Sequence, residues 1–311
     1  MSYSLVLVHR AAYQEILDLL ELAALVRRAA PDIDTYVVSD DADNPVTREL
    51  AAQKPSLIVS FGAIQQFAPL RGRIYAGRYI PKDRQLLRMA AAGIPVPRTL
   101  VVTGEHAFEV PRYGDLVVLK KIGPESSGGN GVVLVRYERV RQKMAELIQD
   151  AGWPYPILVQ EFIRTGRNAT ATRVSTFMGR PIVTWTFALD EPLPEDSAPD
   201  AVIEEANIAS NTPGAPKARN YDVDPAKMSL ASRVFDVFPR IPLHGVDILT
   251  GADNRHYVLE INGGGNTWHF SSDLGARVRA NFGGRARMIA QMGAWETVAD
   301  ELVRRTRLEA E

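Results

Sequence analysis

Residues 245–265 read GVDILTGADNRHYVLEINGGG, and this stretch decides the fold. Two runs of strand composition, LHGVDIL and HYVLEIN, flank the polar turn TGADNR, which predicts a β-hairpin. Along a strand, residues two apart face the same side. Glu260 and Asn262 therefore point together, and Ile261 is buried on the other face. Across the hairpin, Asp247 can share the face of that pair, so three oxygen donors converge. Hard cations such as Mg2+ prefer carboxylate and amide oxygens, and in nucleotide sites they bridge to phosphates. A half-exposed hairpin with a polar outer face would show the same letters, so the rest of the chain has to decide.

Outward from this stretch the chain divides. Its 311 residues suit two or three subdomains better than one core. The N-terminal part alternates strand and helix: SLVLV, then an amphipathic helix ending before Pro31, then DTYVVSD, PVTRELAAQK and PSLIVSFG. That order implies parallel strands with right-handed crossovers, which place ligands beyond the carboxyl ends of the strands, where His9, Arg10 and Gly62 lie. A helix, IPKDRQLLRMAAAG, closes at Gly93. DLVVLKK and GVVLV then flank a Gly/Ser-rich loop, and YPILVQEFI follows a further helix. ATRVSTFMGRPIVTWTF reads as a hairpin turning at MGRP. Residues 190–225 are rich in Pro, Asp, Glu and Asn with little periodicity, which predicts a long surface segment of the kind that is functional or mobile. A last helix is expected over roughly 286–309.

Composition limits the functions available. Hydrophobic residues make up 46% and charged residues 23%, ordinary for a soluble globular protein. The net charge of −1 points to no nucleic-acid partner. There is no cysteine, which excludes disulfides and thiolate metal sites. The N-terminus MSYSLVLVHR does not read as a signal peptide, and no stretch is long enough to span a membrane. The expectation is a soluble, cytoplasmic protein.

Two further stretches carry chemistry. In VVLKKIGPESSGGNGVV, the glycines and serines offer backbone N–H groups to phosphate oxygens, and a lysine at the strand end supplies a point charge. Lys120 and Lys121 face opposite sides, so only one can aim at a ligand. The loop is neither a Walker A loop nor a dinucleotide fingerprint. In ILVQEFI, the strand backbone could read an adenine edge, with Glu161 near the base or the ribose. The alternatives are a glycine-rich hairpin without a ligand and a strand with one exposed glutamate.

Taken together and in order, IPKDRQLLRMAAAGIPVPRT, VVLKKIGPESSGGNGVVLV, LVQEFIRTGRNATATRV and GVDILTGADNRHYVLEING resemble the ATP-grasp superfamily. The glutathione synthetase branch, including ligases that add glutamate to a ribosomal protein's tail, looks most similar. The resemblance implies an α/β chain, α+β in the grasp domain. A parallel-sheet pre-grasp domain (1–95) would precede a lid subdomain (96–163) and a C-terminal subdomain with the metal site (164–311). It further implies that Lys82 and Lys120 contact phosphate, with Lys121 as the fallback. Ser126, Ser127, Gly128, Gly129 and Gly131 would close over the phosphates. Gln160, Glu161, Phe162 and Ile163 would form the adenine hinge. Arg173 would sit near the transferred phosphate or the acyl group, and Asn211 near the same phosphates. Asp247, Glu260 and Asn262 would hold Mg2+, two ions with Mn2+ as a substitute, and Glu260 would bridge them.

The activity implied is an ATP-dependent carboxylate–amine ligase that works through an acylphosphate. Its substrates would be a small carboxylate and an amine, with amino acids and peptides among the candidates, and a homo-oligomer is left open. A kinase acting on a hydroxyl and a nucleotide-binding module without catalysis are the rival readings. Gly263, Gly264, Gly265 and Asn266 stand where the family often has proline after the metal-binding asparagine, which marks this loop as a place where substrate choice differs. Arg10, Arg219, Arg277 and Arg279 are candidates for holding a substrate carboxylate, each with a solvated surface role as the simpler alternative.

Overall fold

The structure is a computed structural model and describes residues 2–104, 109, 111–123, 131–209 and 217–311. The chain opens with β1 (Tyr3–His9), α1 (Ile16–Ala29), β2 (Ile33–Ser39), α2 (Pro45–Ala52), β3 (Ser56–Ser60) and β4 (Arg73–Ala76). These strands form a parallel sheet in the order β2-β1-β3-β4. Leu5, Val6, Leu7 and Val8 are all fully buried, as a parallel strand covered on both faces requires. α1 buries Leu19, Leu22, Ala23 and Val26, a stripe at helical spacing, against that sheet. The fourth strand, RIYA, is only four residues long and lacks alternation, which is why the sequence does not announce it.

α3 (Lys82–Ala91) leads into a second sheet built from β5 (Thr99–Val102), β6 (Leu116–Lys121), β7 (Val132–Arg136), α4 (Val140–Gln149) and β8 (Ile157–Glu161). Its strands are antiparallel in the order β5-β8-β6-β7. α4 covers one face through Val140, Met144 and Leu147.

The rest of the chain builds the largest sheet. It contains β9 (Asn168–Phe177), β10 (Arg180–Pro192), α5 (Asp200–Glu205), β11 (Lys217–Asn220), α6 (Pro225–Val237), β12 (Leu243–Thr250) and β13 (His256–Asn262). The strand order is β11-β10-β9-β12-β13, antiparallel throughout. β9 turns into β10 through Met178 and Gly179, both with positive φ (46° and 87°), the backbone a tight two-residue hairpin needs. α6 lies under the sheet through Met228, Ala231 and Val234.

Three helices end the chain: α7 (Ala276–Phe282), α8 (Arg285–Ala290) and α9 (Ala294–Glu309). The single helix expected over 286–309 is interrupted at Gly293, which takes a left-handed conformation with φ 59°. α9 returns to the first sheet, and its terminus is tied there by Ser56 and Glu311 backbone hydrogen bonds of 3.0 and 3.2 Å. The segment 190–225, of which 210–216 lie outside the described residues, is largely at the surface as expected but carries more secondary structure than its sequence suggests. β10 runs on to Pro192, α5 buries Ile203 against Leu116, Val118 and Leu134, and β11 adds an edge strand. Among the described residues no helix is long and apolar enough to cross a membrane.

Candidate functional site

A cavity of about 370 Å3 lies between the second sheet and the largest one. Its floor is one face of β9, β12 and β13. The register sets Asp247 opposite both Arg173 of β9 and Glu260 of β13, and sets Gly245 opposite Asn262. A bulge follows Asp247 in this ladder. The structure thus brings Arg173, Asp247, Glu260 and Asn262 together on one face.

The contacts among them are direct. The Arg173 guanidinium donates twice to Asp247, from Nε to Oδ1 and from Nη2 to Oδ2 at 2.7 Å. Asn262 Nδ2 donates to Asp247 Oδ2 at 3.3 Å and to Gly245 O at 3.4 Å, which leaves its amide oxygen as an acceptor. Lys82 Nζ lies 3.0 Å from Glu260 Oε2. Lys120, at the end of β6, is buried and lines the cavity, whereas Lys121 does not; the Lys121 N–H donates to Gly131 O at 2.8 Å.

Two positions invisible to motif reading hold this arrangement. Gln85, one turn after Lys82 on α3, clamps the backbone of Ile261. Its Oε1 accepts from Ile261 N at 2.7 Å, and its Nε2 donates to Ile261 O at 3.0 Å and Ile80 O at 2.7 Å. The clamp fixes α3 against β13 and so Lys82 against Glu260. The signal available in sequence was the polar Gln85 sharing a helix face with Lys82 at i, i+3. Gly245 is the second position. A Cβ there would sit 2.5 Å from Thr267 Cγ2 and 3.3 Å from Arg173 Cδ, so any other residue would have to displace the Thr267 methyl and would crowd the arginine.

The electrostatics are those of a site waiting for negative charge. Burial draws the Lys120 ammonium down to about 8, and Lys82 adds to this against the opposing pull of Glu260 and Asp247. Burial pushes the Asp247 carboxyl up, and Glu260 adds to that, while Arg173 opposes it. Burial would also raise Glu260, but Lys82 and Lys120 outweigh it and hold that carboxyl below its ordinary range. Three cations, Lys82, Lys120 and Arg173, face two carboxylates in one buried space. The surplus positive charge and low dielectric favour a polyanion.

The donor set fits a hard cation. Asp247, Glu260 and Asn262 offer two carboxylates and an amide oxygen, and among the described residues no group of three His, Cys, Asp or Glu competes as a metal cluster. Such a set leaves open positions on Mg2+ for water and phosphate oxygens.

Gln160, Glu161, Phe162 and Ile163 line the far wall. Gln160 is buried and donates from Nε2 to Thr99 Oγ1 at 2.9 Å. Glu161 is turned toward Arg98, accepting from Nε at 3.0 Å and Nη2 at 2.8 Å, and its N–H donates to Arg98 O at 2.8 Å. Phe162 and Ile163 lie past the end of β8, outside the sheet pairing. Ser126, Ser127, Gly128, Gly129 and Asn211 lie outside the described residues. The chain just before Asn211 does reach the site, because Ile208 and Ala209 join Leu193 in lining the cavity.

The glycines after Asn262 have a packing role. The Arg78 N–H donates to Gly263 O at 2.7 Å, and a Cβ on Gly77 would stand 2.2 Å from Phe61 O and 2.8 Å from Gly263 O. Backbones of the first and the largest sheets meet here without side chains between them. Gly264 lines the cavity, and its missing Cβ faces open space.

A scan of protein-family models and a search of curated proteins find no match. Solved structures are similar over nearly the whole chain. The ATP-grasp ligase PsnB complexed with minimal precursor is 15% identical, with 98% of this chain and 100% of that chain covered and a TM-score of 0.53. PsnB complexed with a phosphomimetic variant of minimal precursor, Mg and ADP is 15% identical, with 98% and 99% covered and a TM-score of 0.53. D-alanine–D-alanine ligase from Bacillus anthracis is 14% identical, with 99% and 97% covered and a TM-score of 0.48.

Proposed function

We propose that this chain, whose fold is that of the ATP-grasp ligases, is an ATP- and Mg2+-dependent ligase that joins a carboxylate to an amine. One observation carries the reading: Lys82, Lys120 and Arg173 converge on Asp247, Glu260 and Asn262 inside one cavity. In the first step a substrate carboxylate oxygen attacks the γ-phosphorus of ATP, the bond to the β-phosphate oxygen breaks, and ADP leaves. In the second step an amine attacks the carbonyl of the acylphosphate, the C–O bond to phosphate breaks, and the amine's proton is lost. Phosphate leaves and an amide remains.

Little covalent work falls to the protein. Lys120 and Lys82 neutralise phosphate oxygens, and Arg173 meets the charge that develops between phosphate and acyl group. Asp247, Glu260 and Asn262 would hold Mg2+, which supplies Lewis-acid stabilisation of the phosphoryl oxygens. PsnB, of the same fold, is solved with Mg and ADP, which supports placing both here. Phe162 and Ile163 present backbone to the adenine. Leu193, Ile208 and Ala209 wall the cavity against water, which would otherwise hydrolyse the acylphosphate.

The test is to incubate the protein with Mg2+-ATP and pools of acids and amines. ADP and free phosphate that appear only when both pools are present support the ligase. A phosphorylated product without free phosphate overturns it in favour of a kinase.

A further inference from the structure

The four arginines proposed from sequence as carboxylate holders separate in the structure. Arg10 is used internally: its Nη1 donates to Ala63 O at 2.6 Å, its Nη2 to Gln65 Oε1 at 2.9 Å, and its Nε lies 3.7 Å from Asp40. Arg279 is also used, donating from Nη1 to His269 O and Ser272 O at 2.8 Å each. Arg219 and Arg277 have no carboxylate within 4 Å among the described residues, and Arg219 Nε is buried with no hydrogen-bond partner.

Arg219 stands beside the cavity. Arg219, on edge strand β11, is opposite Phe187 of β10, and Phe187 is opposite Ala171 of β9. Phe187 and Ala171 both line the cavity. The Arg219 guanidinium and the Lys217 ammonium each lie 5.6 Å from the Phe187 ring centre. Stacking on that ring orients the Arg219 guanidinium, whose Nε is left without a hydrogen-bond partner. Burial lowers the Lys217 ammonium, and the charges of Arg219 and of Arg277, exposed on α7, add to this. Gathering like charges at the rim of a cavity costs free energy, and an anionic ligand would relieve it.

We propose that Arg219 and Arg277, with Lys217 beside them, form a rim subsite for an anionic group on the substrate, separate from the carboxylate that is activated. The inference rests on the ligase reading and names its substrate class: an acid carrying a second carboxylate or a phosphate. The sheet sets the scale. Arg219 and Arg173 are two strands apart and offset by two residues, so their backbones lie about 12 Å from each other at the usual strand spacings. Arg173 leans away from Arg219, toward Asp247 of β12, so the two anionic groups belong to a substrate that spans at least that order of distance, an extended diacid or an acidic peptide.

The test uses protein saturated with ADP and Mg2+, titrated by calorimetry with tetraglutamate in one arm and a tetrapeptide of phosphoserine in the other. Tetraglutamine and acetate serve as controls, and ADP affinity is measured in each protein. Binding in either anionic arm, tenfold or more above the controls and weakening with salt, supports the subsite and tells carboxylate from phosphate. The exposed variant Arg277→Gln should weaken that binding several-fold, and Arg219→Gln with Arg277→Gln by tenfold or more, with ADP affinity retained. Unchanged peptide binding in the double variant, or no peptide binding by a protein that binds ADP, overturns the subsite and leaves the ligase reading standing. Failure to bind ADP at all overturns the ligase reading instead, and the subsite with it.

Discussion

Asp247 and Glu260 stand directly opposite each other across the β12–β13 ladder. Two carboxylates in that position repel, and the pairing persists because Arg173 holds one and Lys82 the other. Each acid is thereby paired within the chain, and a bound metal would share them with those cations.

Glu260→Gln keeps the shape and the oxygen donor but removes a charge that Mg2+ would meet. Turnover should fall by about a hundredfold or more, while nucleotide binding survives within a few-fold. Steady-state kinetics and calorimetry with ADP check this, and full activity would displace Glu260 from the metal site.

Lys120→Met should separate stability from function. The ammonium is drawn from its ordinary 10.5 to about 8 in the folded chain. Between those values the unfolded chain holds more protons, so that group's contribution to stability improves as pH rises from 8 to 10.5. Below pH 8 the buried charge is a cost, and replacing it with methionine removes it. The variant should melt higher than the parent at pH 7, the gain should shrink by pH 10, and turnover should be lost. Thermal melts at the two pH values read the outcome, and a lower melting temperature at pH 7 would contradict it.

Nucleotide affinity should depend on pH through the same lysine. A bound polyphosphate favours the ammonium, so its pKa rises on binding and a proton is taken up above pH 8. Affinity for ADP should be level below pH 8 and fall as pH rises past it, approaching tenfold per unit. Lys120→Met should flatten the profile.

Gln85→Leu should loosen α3 from β13. It removes the clamp on Ile261 and leaves a buried N–H and C=O unpaired, a cost of about 2–4 kcal/mol. Lys82 would lose its fixed place beside Glu260. Denaturant unfolding and kcat should fall together, and Gln85→Glu should recover part of the loss because one oxygen can still accept from Ile261 N.

Much of this was legible in the sequence because strand alternation is a strict rule. The hairpin over 245–262 put Asp247, Glu260 and Asn262 on one face before any coordinates, and the LVVLKK strand limited the choice to one of its two lysines. Other features depended on contacts distant in sequence. The local pattern sets Gln85 on the helix face of Lys82, but its clamp on a strand 176 residues away is a tertiary contact that the pattern does not show. Gly77 is explained by the backbone oxygens of Phe61 and Gly263 beside it, and Gly263 by the Ile241 side chain, neither of which is local in sequence. The carboxylate of Glu161 could point to a ligand or to Arg98, and the β5–β8 pairing sets it on Arg98. Residues 190–209 lacked periodicity because α5 and its flanks are short and are ordered by packing on β6 and β7.

The central claim is that a substrate carboxylate takes the γ-phosphate before the amide forms. Amino acids and diacids with 18O in their carboxyl groups, supplied with Mg2+-ATP and an amine pool, test it through the mass of the released phosphate. The account predicts that one 18O atom moves from acid to phosphate for each ADP formed. Phosphate released without 18O, at a rate matching ADP, would contradict it.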